Sequence, residues 1–265
     1  MPHKIRVGIR VALVSALLFS VLSAGKAAVE ETKKNWQVTV GAGVISLPKY
    51  PGSDESHILS FPLINVSYGR FFIGDQGAGL AGIGLNLYRD YRWTLGAAIG
   101  PDPMKPRTES DDPRLRGLGD IPRTFRATLL AAYNHEWVTT RSSVSSDIKN
   151  EKQGTLVRLE MARYSPIERL TLYAGPGATW TTQQYSQTFF GIDGEQSARS
   201  RSPEFSPKGG LNRLQFTVGV DYQINQDWGL GMNVVAGSLK GDAAESPITK
   251  AKSQNTFVAF TAYYF

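Results

Sequence analysis

The residues whose types could do chemistry are few and sparsely grouped. Three histidines occur, and His3 belongs to the extreme N-terminus, which leaves His57 and His135. A lipase or protease needs a base positioned against an activated nucleophile. Asp54, Ser56 and His57 lie close in sequence, but neighbours in one loop seldom build a working triad, and a solvated loop accounts for them. His135 beside Glu136 reads as a polar residue at a membrane boundary. Asp54-Glu55 and Asp111-Asp112 offer oxygen ligands of the kind calcium takes, yet without the spacing of a calcium loop, so they read as surface charge. Gly41-Ala42-Gly43 and the glycines from Gly79 to Gly84 lie inside strands with no following helix. They suit curvature and close packing, not a phosphate cradle. Cysteine is absent, which removes disulfides and thiolate metal sites. No cofactor is expected, and the chain reads as a non-enzyme. What remains is charge on strands: Arg92, Arg126, Arg158 and Glu160 are expected to face a lumen, where charge is hydrated or paired.

Strands must position these groups. Hydrophobic residues recur with period two: Trp36, Val38, Val40, Ala42 and Val44 alternate with Gln37, Thr39, Gly41 and Gly43. Leu214 to Gln223, Trp228 to Val234 and Val157 to Met161 follow the same rule, sending apolar side chains to one face and small or polar ones to the other. The pattern predicts about twelve strands, near residues 36–45, 57–67, 70–74, 79–88, 91–100, 123–136, 138–146, 153–164, 168–181, 211–223, 227–239 and 254–265. Their connections alternate strictly. Short ones fall at 67–69, 89–90, around Trp137, at 165–167 and at 225–226, and longer ones at 46–56, 75–78, 101–122, 147–152, 182–210 and 240–253. Within the 182–210 connection, Tyr185 to Phe190 reads as a strand extension or a loop folded over a mouth. Outer-membrane barrels join short periplasmic turns to long external loops. The fold class expected is therefore all-β, a transmembrane antiparallel barrel.

The N-terminus agrees. Lys4, Arg6 and Arg10 precede an apolar run from Val11 to Leu22, and small residues follow at 23–28, the layout of a secretory signal peptide. The expected organisation is a signal peptide over 1–28 and a barrel over 29–265. Formal net charge is +6, and the signal segment carries Lys4, Arg6, Arg10 and Lys26 with no acid, which leaves the remainder near +2. A sustained basic patch is missing, so nucleic acid is not an expected partner.

Aromatic residues gather beside the short connections: Trp36, Tyr68, Phe71, Tyr88, Tyr91, Trp93, Tyr133, Trp137, Tyr164, Tyr222, Trp228 and Phe265. Such rings prefer the membrane–water boundary, and barrels carry girdles of them. The last strand alternates Phe257, Ala259, Thr261, Tyr263 and Phe265. It resembles the closing strand of outer-membrane proteins, in which Tyr263 and Phe265 would address the chain to the barrel-insertion machinery. Outer-membrane lipid is the other expected partner, in a Gram-negative bacterium.

Short motifs add a family. Tyr50-Pro51-Gly52-Ser53-Asp54 followed by Phe61-Pro62, then Arg70-Phe71-Phe72, Gly82 to Leu87 and Leu118-Gly119-Asp120-Ile121, stand in order along the chain. Phe189-Phe190-Gly191-Ile192, Ser206 to Leu211 (with Gly209) and Ser246-Pro247-Ile248 follow. Their order and spacing resemble the MltA-interacting protein/OmpV family from about Trp36 to Phe265. The resemblance implies an outer-membrane protein. One member of that family is a scaffold joining a murein lytic transglycosylase to a penicillin-binding protein, and others are antigens or adhesins. The motif residues fall on long loops, whereas a scaffold for peptidoglycan enzymes would offer its periplasmic turns. A scaffold and a transport or surface-binding barrel are thus both open at this point, with an envelope lipid enzyme using His57 or His135 as a third reading.

Overall fold

In the computed structural model the described residues are 36–74, 82–103 and 107–265. The expected signal peptide, the loop at 75–78, the start of the strand expected at 79–88 and residues 104–106 lie outside them.

Twelve strands form: β1 (Trp36–Pro48), β2 (Ser56–Tyr68), β3 (Phe71–Gly74), β4 (Gly82–Arg89), β5 (Trp93–Pro101), β6 (Phe125–His135), β7 (Val138–Asp147), β8 (Thr155–Ile167), β9 (Leu170–Thr181), β10 (Gly210–Gln223), β11 (Trp228–Leu239) and β12 (Ser253–Tyr264). Each pairs antiparallel with its sequence neighbours, and β12 returns to β1, with Thr39 opposite Tyr264 and Ser46 opposite Phe257. Closure removes the free edges that an open sheet would present. No helix among the described residues is long and apolar enough to cross a membrane.

The faces separate by parity. Outward positions expose Ile64, Leu85, Leu129, Leu159, Phe216, Met232 and Phe257, while their neighbours on the same strands point in. Exposed apolar area wrapped around a whole barrel is what a hydrocarbon solvent selects. At the short-turn end rings pack across neighbouring strands on this outer face: Trp36 stacks on Tyr68 at 4.7 Å, Trp93 is tilted against Tyr133 at 4.6 Å and Trp228 meets Tyr263 edge-on at 5.0 Å. Tyr164 departs from the girdle expected for it. Its parity turns it inward, where it is buried against Tyr173 and Arg141.

Three hairpins turn in two residues, Gly69-Arg70, Glu136-Trp137 and Glu168-Arg169, each entering the left-handed region at its first position (φ 57, 48 and 51°). The long loops contain α1 (Gln183–Phe190), α2 (Gly194–Ser200) and α3 (Gly241–Glu245), plus two 3-10 turns at Glu109–Asp111 and Pro113–Leu115. The stretch from Tyr185 to Phe190 is thus a helix within the 182–210 loop and not a strand extension, and that loop does fold over the mouth. Tyr185, Phe189 and Phe190 recur at i, i+4 and i+5, which buries one helical face.

Inside the short-turn half, buried rings and aliphatic side chains line the lumen. Leu63, Val258, Phe260 and Ala262 form one cluster, Ala162, Tyr164 and Tyr173 a second, and Phe72, Ala98 and Leu130 a third. Glycine makes room for the rings. A methyl group at Gly219 would overlap Tyr173, one at Gly231 would overlap Phe260, and one at Gly84 would overlap Phe72. The strand glycines therefore serve close packing, because each ring lies flat over a neighbouring strand.

Candidate functional site

At the long-loop end the connections fold together into a cap with its own apolar interior. One cluster joins Ile121, Leu156, Tyr185, Phe189, Phe190, Leu239 and Ala243, and another joins Tyr50, Leu115, Leu118, Ile192 and Ile248. The motif residues scattered through the sequence meet there. Tyr50 is 2% exposed and its hydroxyl donates to Ile248 O. Gly52, at φ 97°, donates to Gln254 Oε1 and accepts from the amides of Lys250 and Ala251. Ser53 is buried, and its carbonyl accepts from Gln254 Nε2. Ser246 Oγ donates to Phe190 O at 2.6 Å, with Pro247 in the same segment, and Gly191 N donates to Gln187 O. Gly209 lies where a methyl group would press on the backbone of 181–183.

Gly119 and Asp120 take part in a reciprocal clasp. Gly119 N donates to Glu109 Oε1 and Glu109 N donates to Asp120 Oδ1, at 2.7 and 2.8 Å. Backbone donors from Gly117 and Gly119 hold the Glu109 carboxyl below the usual range. Asp54 pairs with Lys250 at 3.3 Å, and the same ammonium lies 3.5 Å from Asp112. Carboxylate oxygens of Asp54, Glu55 and Asp112 approach within 4.8 Å of one another, but Lys250 and Lys49 already sit among them. Arg107, which motif reading missed, is 2% exposed in the cap and donates to Phe189 O. Burial pulls its pKa down to about 10.

Below the cap lie the lumenal charges. Arg126 is 1% exposed and ion-pairs with Asp102, while its Nη atoms donate to the carbonyls of Ser145, Gln153 and Gly154. Arg158 and Glu160 alternate with exposed Val157, Leu159 and Met161, so both point inward, and Gln215 Nε2 donates to Glu160 Oε1 at 2.7 Å. Arg92 does not join them. It lies outside the strands, exposed in the β4–β5 turn, with its guanidinium 5.1 Å from the centre of the Tyr91 ring. Arg141 and Arg213, which the sequence reading does not single out, also face inward, and the parity of their strands is the signal that could find them. His57 begins β2 and His135 ends β6, its ring parallel to Tyr133, so the two histidines do not share a site. Tyr263 and Phe265 pack edge to face on the outer surface at 4.7 Å, and Phe265 N donates to Val38 O.

The profile of the family described as "MltA-interacting protein MipA" matches residues 40–265. The chain belongs to that family. It is 23% identical to the MltA-interacting protein of Escherichia coli (strain K12) over 88% of this chain and 91% of the relative. It is 24% identical to YiaT of the same organism, whose name places it in the outer membrane, over 86% of this chain and 91% of the relative. Among solved structures, the NanC porin aligns with TM-score 0.43 and 7% identity over 85% of this chain and 98% of its own. OmpT of Vibrio cholerae aligns with TM-score 0.38 and 9% identity over 87% and 97%. This MipA-family chain is a closed barrel of the outer membrane.

Proposed function

We propose that the protein is a non-enzymatic, closed barrel that docks murein-processing enzymes on its periplasmic rim, among them a lytic transglycosylase and a penicillin-binding protein. The observation that carries this reading is how the lumen is used. Rings over glycines occupy the short-turn half, and a packed cap covers the long-loop mouth. A twelve-stranded interior lies between the filled lumen of about eight strands and the aqueous channel of 16–18, and here three clusters of buried side chains narrow its short-turn half. The short turns, by contrast, are ordered and exposed. Asp90 Oδ1 accepts from the amides of Arg92 and Trp93, and Asn225 Oδ1 accepts from those of Asp227 and Trp228. Arg70, Arg89, Arg92 and Arg169 are interspersed around that rim with Asp90, Glu136, Glu168 and Asp227, a charge pattern suited to specifying a protein partner. The name of the Escherichia coli relative points to such a partner for that protein.

The test is co-purification of the mature, detergent-folded protein with a lytic transglycosylase and a penicillin-binding protein. Replacing Arg89-Asp90 and Asn225-Gln226 is expected to reduce capture, and the folded barrel is expected to stay silent in planar bilayers. Capture that survives alteration of every short turn would refute the rim reading. Steady conductance would favour a transport barrel instead.

A further inference from the structure

We infer that the lumen holds a binding site for one small oxyanion, a carboxylate or a phosphate, directly beneath the cap. Two inward positions flank the same residue of β9: Arg158 on β8 and Arg213 on β10 are both register partners of Thr179. Strands lie about 4.8 Å apart, so the two Cα atoms stand roughly 10 Å from each other on one concave wall, within reach of a shared ligand for side chains as long as arginine. Tyr185, on the buried face of α1, forms the roof; it lies within electrostatic reach of both guanidinium groups and of the Arg126–Asp102 pair.

The local charges do not cancel. Asp102 is committed to Arg126. Glu160, one inward position below Arg158, accepts from Gln215 and is the remaining acid at this level. Arg213 has no carboxylate in ion-pairing range among the described residues. Inward-facing Arg141 is the register partner of Glu160 and adds a further cation, so positive charge is in excess here and a bound oxyanion would offset it. Arg213 is nevertheless held in place. Its Nη2 donates to Gln254 O at 2.9 Å, and its guanidinium lies flat on Gly237, where a methyl group would overlap it. Arg158, Glu160, Arg213 and Gln215 are each partly buried, and the adjoining lumenal Leu156, Thr179, Thr181 and Thr217 are buried. Arg213 Nε is itself buried without a hydrogen-bond partner, a donor that a ligand would satisfy. Guanidinium forks on one lumenal wall recognise planar or tetrahedral oxyanions better than chloride, because they offer paired N–H donors as well as charge.

This site stands apart from the rim reading and survives or fails without it. The experiment measures the thermal midpoint of the detergent-folded barrel, by its heat-dependent gel mobility, at constant pH and ionic strength. Inorganic phosphate and acetate are each titrated against chloride, which separates the two oxyanion sources. A saturable rise in midpoint is expected with at least one of them. Arg213→Gln and Arg158→Gln are each expected to weaken that response at least about tenfold, the loss of one charge-assisted contact. Each variant's response is read against its own midpoint in chloride, because Arg213 also holds Gln254 and a change there shifts the baseline alone. Glu160→Gln, which removes the competing acid, should tighten the response. A phosphate and acetate response unchanged in the double arginine variant would overturn the site. So would no saturable response to either anion.

Discussion

The Arg126–Asp102 pair yields the sharpest prediction. Both side chains are buried, at 1% and 7% exposure, and Arg126 also donates to carbonyls of Ser145, Gln153 and Gly154. It therefore ties the end of β5 to β6, β7 and the following loop, with the ring of α1 Tyr185 6.0 Å from its guanidinium carbon. Asp102→Asn keeps shape and one acceptor but leaves the cation uncompensated. Removing one partner of a buried pair costs about 3–5 kcal/mol, and the retained amide oxygen argues for the lower end, near 3 kcal/mol. Arg126→Met with Asp102→Leu removes both charges, which on its own is often close to neutral. Three carbonyls then lose their donor, however, at about 1 kcal/mol for each net hydrogen bond. The double variant should thus be no less stable than Arg126→Met alone, and the cycle closed with Asp102→Leu alone should show a coupling above about 2 kcal/mol. Urea unfolding of the refolded barrel in lipid, followed by tryptophan fluorescence, measures each corner. A cost below about 1 kcal/mol for Asp102→Asn, the worth of a solvated surface pair, would refute the reasoning and place the pair in water.

Other changes read the cap and the lumen separately. Phe190→Ala, at a 1%-exposed position, should weaken the cap by about 3–5 kcal/mol, seen as new protease cuts between 191 and 210 while the barrel keeps its heat-dependent mobility. Glu109 has a lowered pKa in the folded cap. Its contribution is therefore complete above the ordinary glutamate value of about 4.3 and fades as pH falls from there through the lower folded value. Glu109→Gln should remove that acid-dependent step from cap proteolysis. Gly231→Leu forces a side chain into Phe260 and should cost about 1–3 kcal/mol by overpacking, with Phe260→Ala in the same chain restoring part of the folded yield on refolding gels.

The strands were legible because lipid and lumen impose opposite solvents on alternate residues, so the period survives in single segments such as Trp228 to Val234. Loop parity was legible for the same reason, since each turn closes a hairpin between adjacent strands. The cap was not. Its helices run eight, seven and five residues, too short for a 3.6 period to stand out. Their stability comes from remote contacts: Tyr50 to Ile248, Gly52 to Gln254 and Ser246 to Phe190. Motif order marked those residues without telling what brought them together. Two placements failed for a simpler reason. Tyr164 was put on the girdle from its nearness to a turn, although its strand parity turns it inward, and Arg92 was given a strand face that the β4–β5 turn does not have. Parity applied to β7 and β10 also finds Arg141 and Arg213, which nearness to turns passes over.

The outer rings bear on the rim-docking proposal. Trp36–Tyr68, Trp93–Tyr133 and Trp228–Tyr263 pack against each other on the outer face at the short-turn end. Amphipathic rings fix depth at the headgroup level, so the turns just beyond them stand in water at a set height. Those turns are brief and stapled by Asp90 and Asn225, which lowers the entropy lost when a partner immobilises them. Behind them the buried rings of Tyr164, Tyr173 and Phe260 line the lumen wall. On the rim-docking proposal a soluble enzyme approaching from that side would meet a ring of short, charged turns held at a fixed depth, a surface for docking that does not require anything to pass through the barrel.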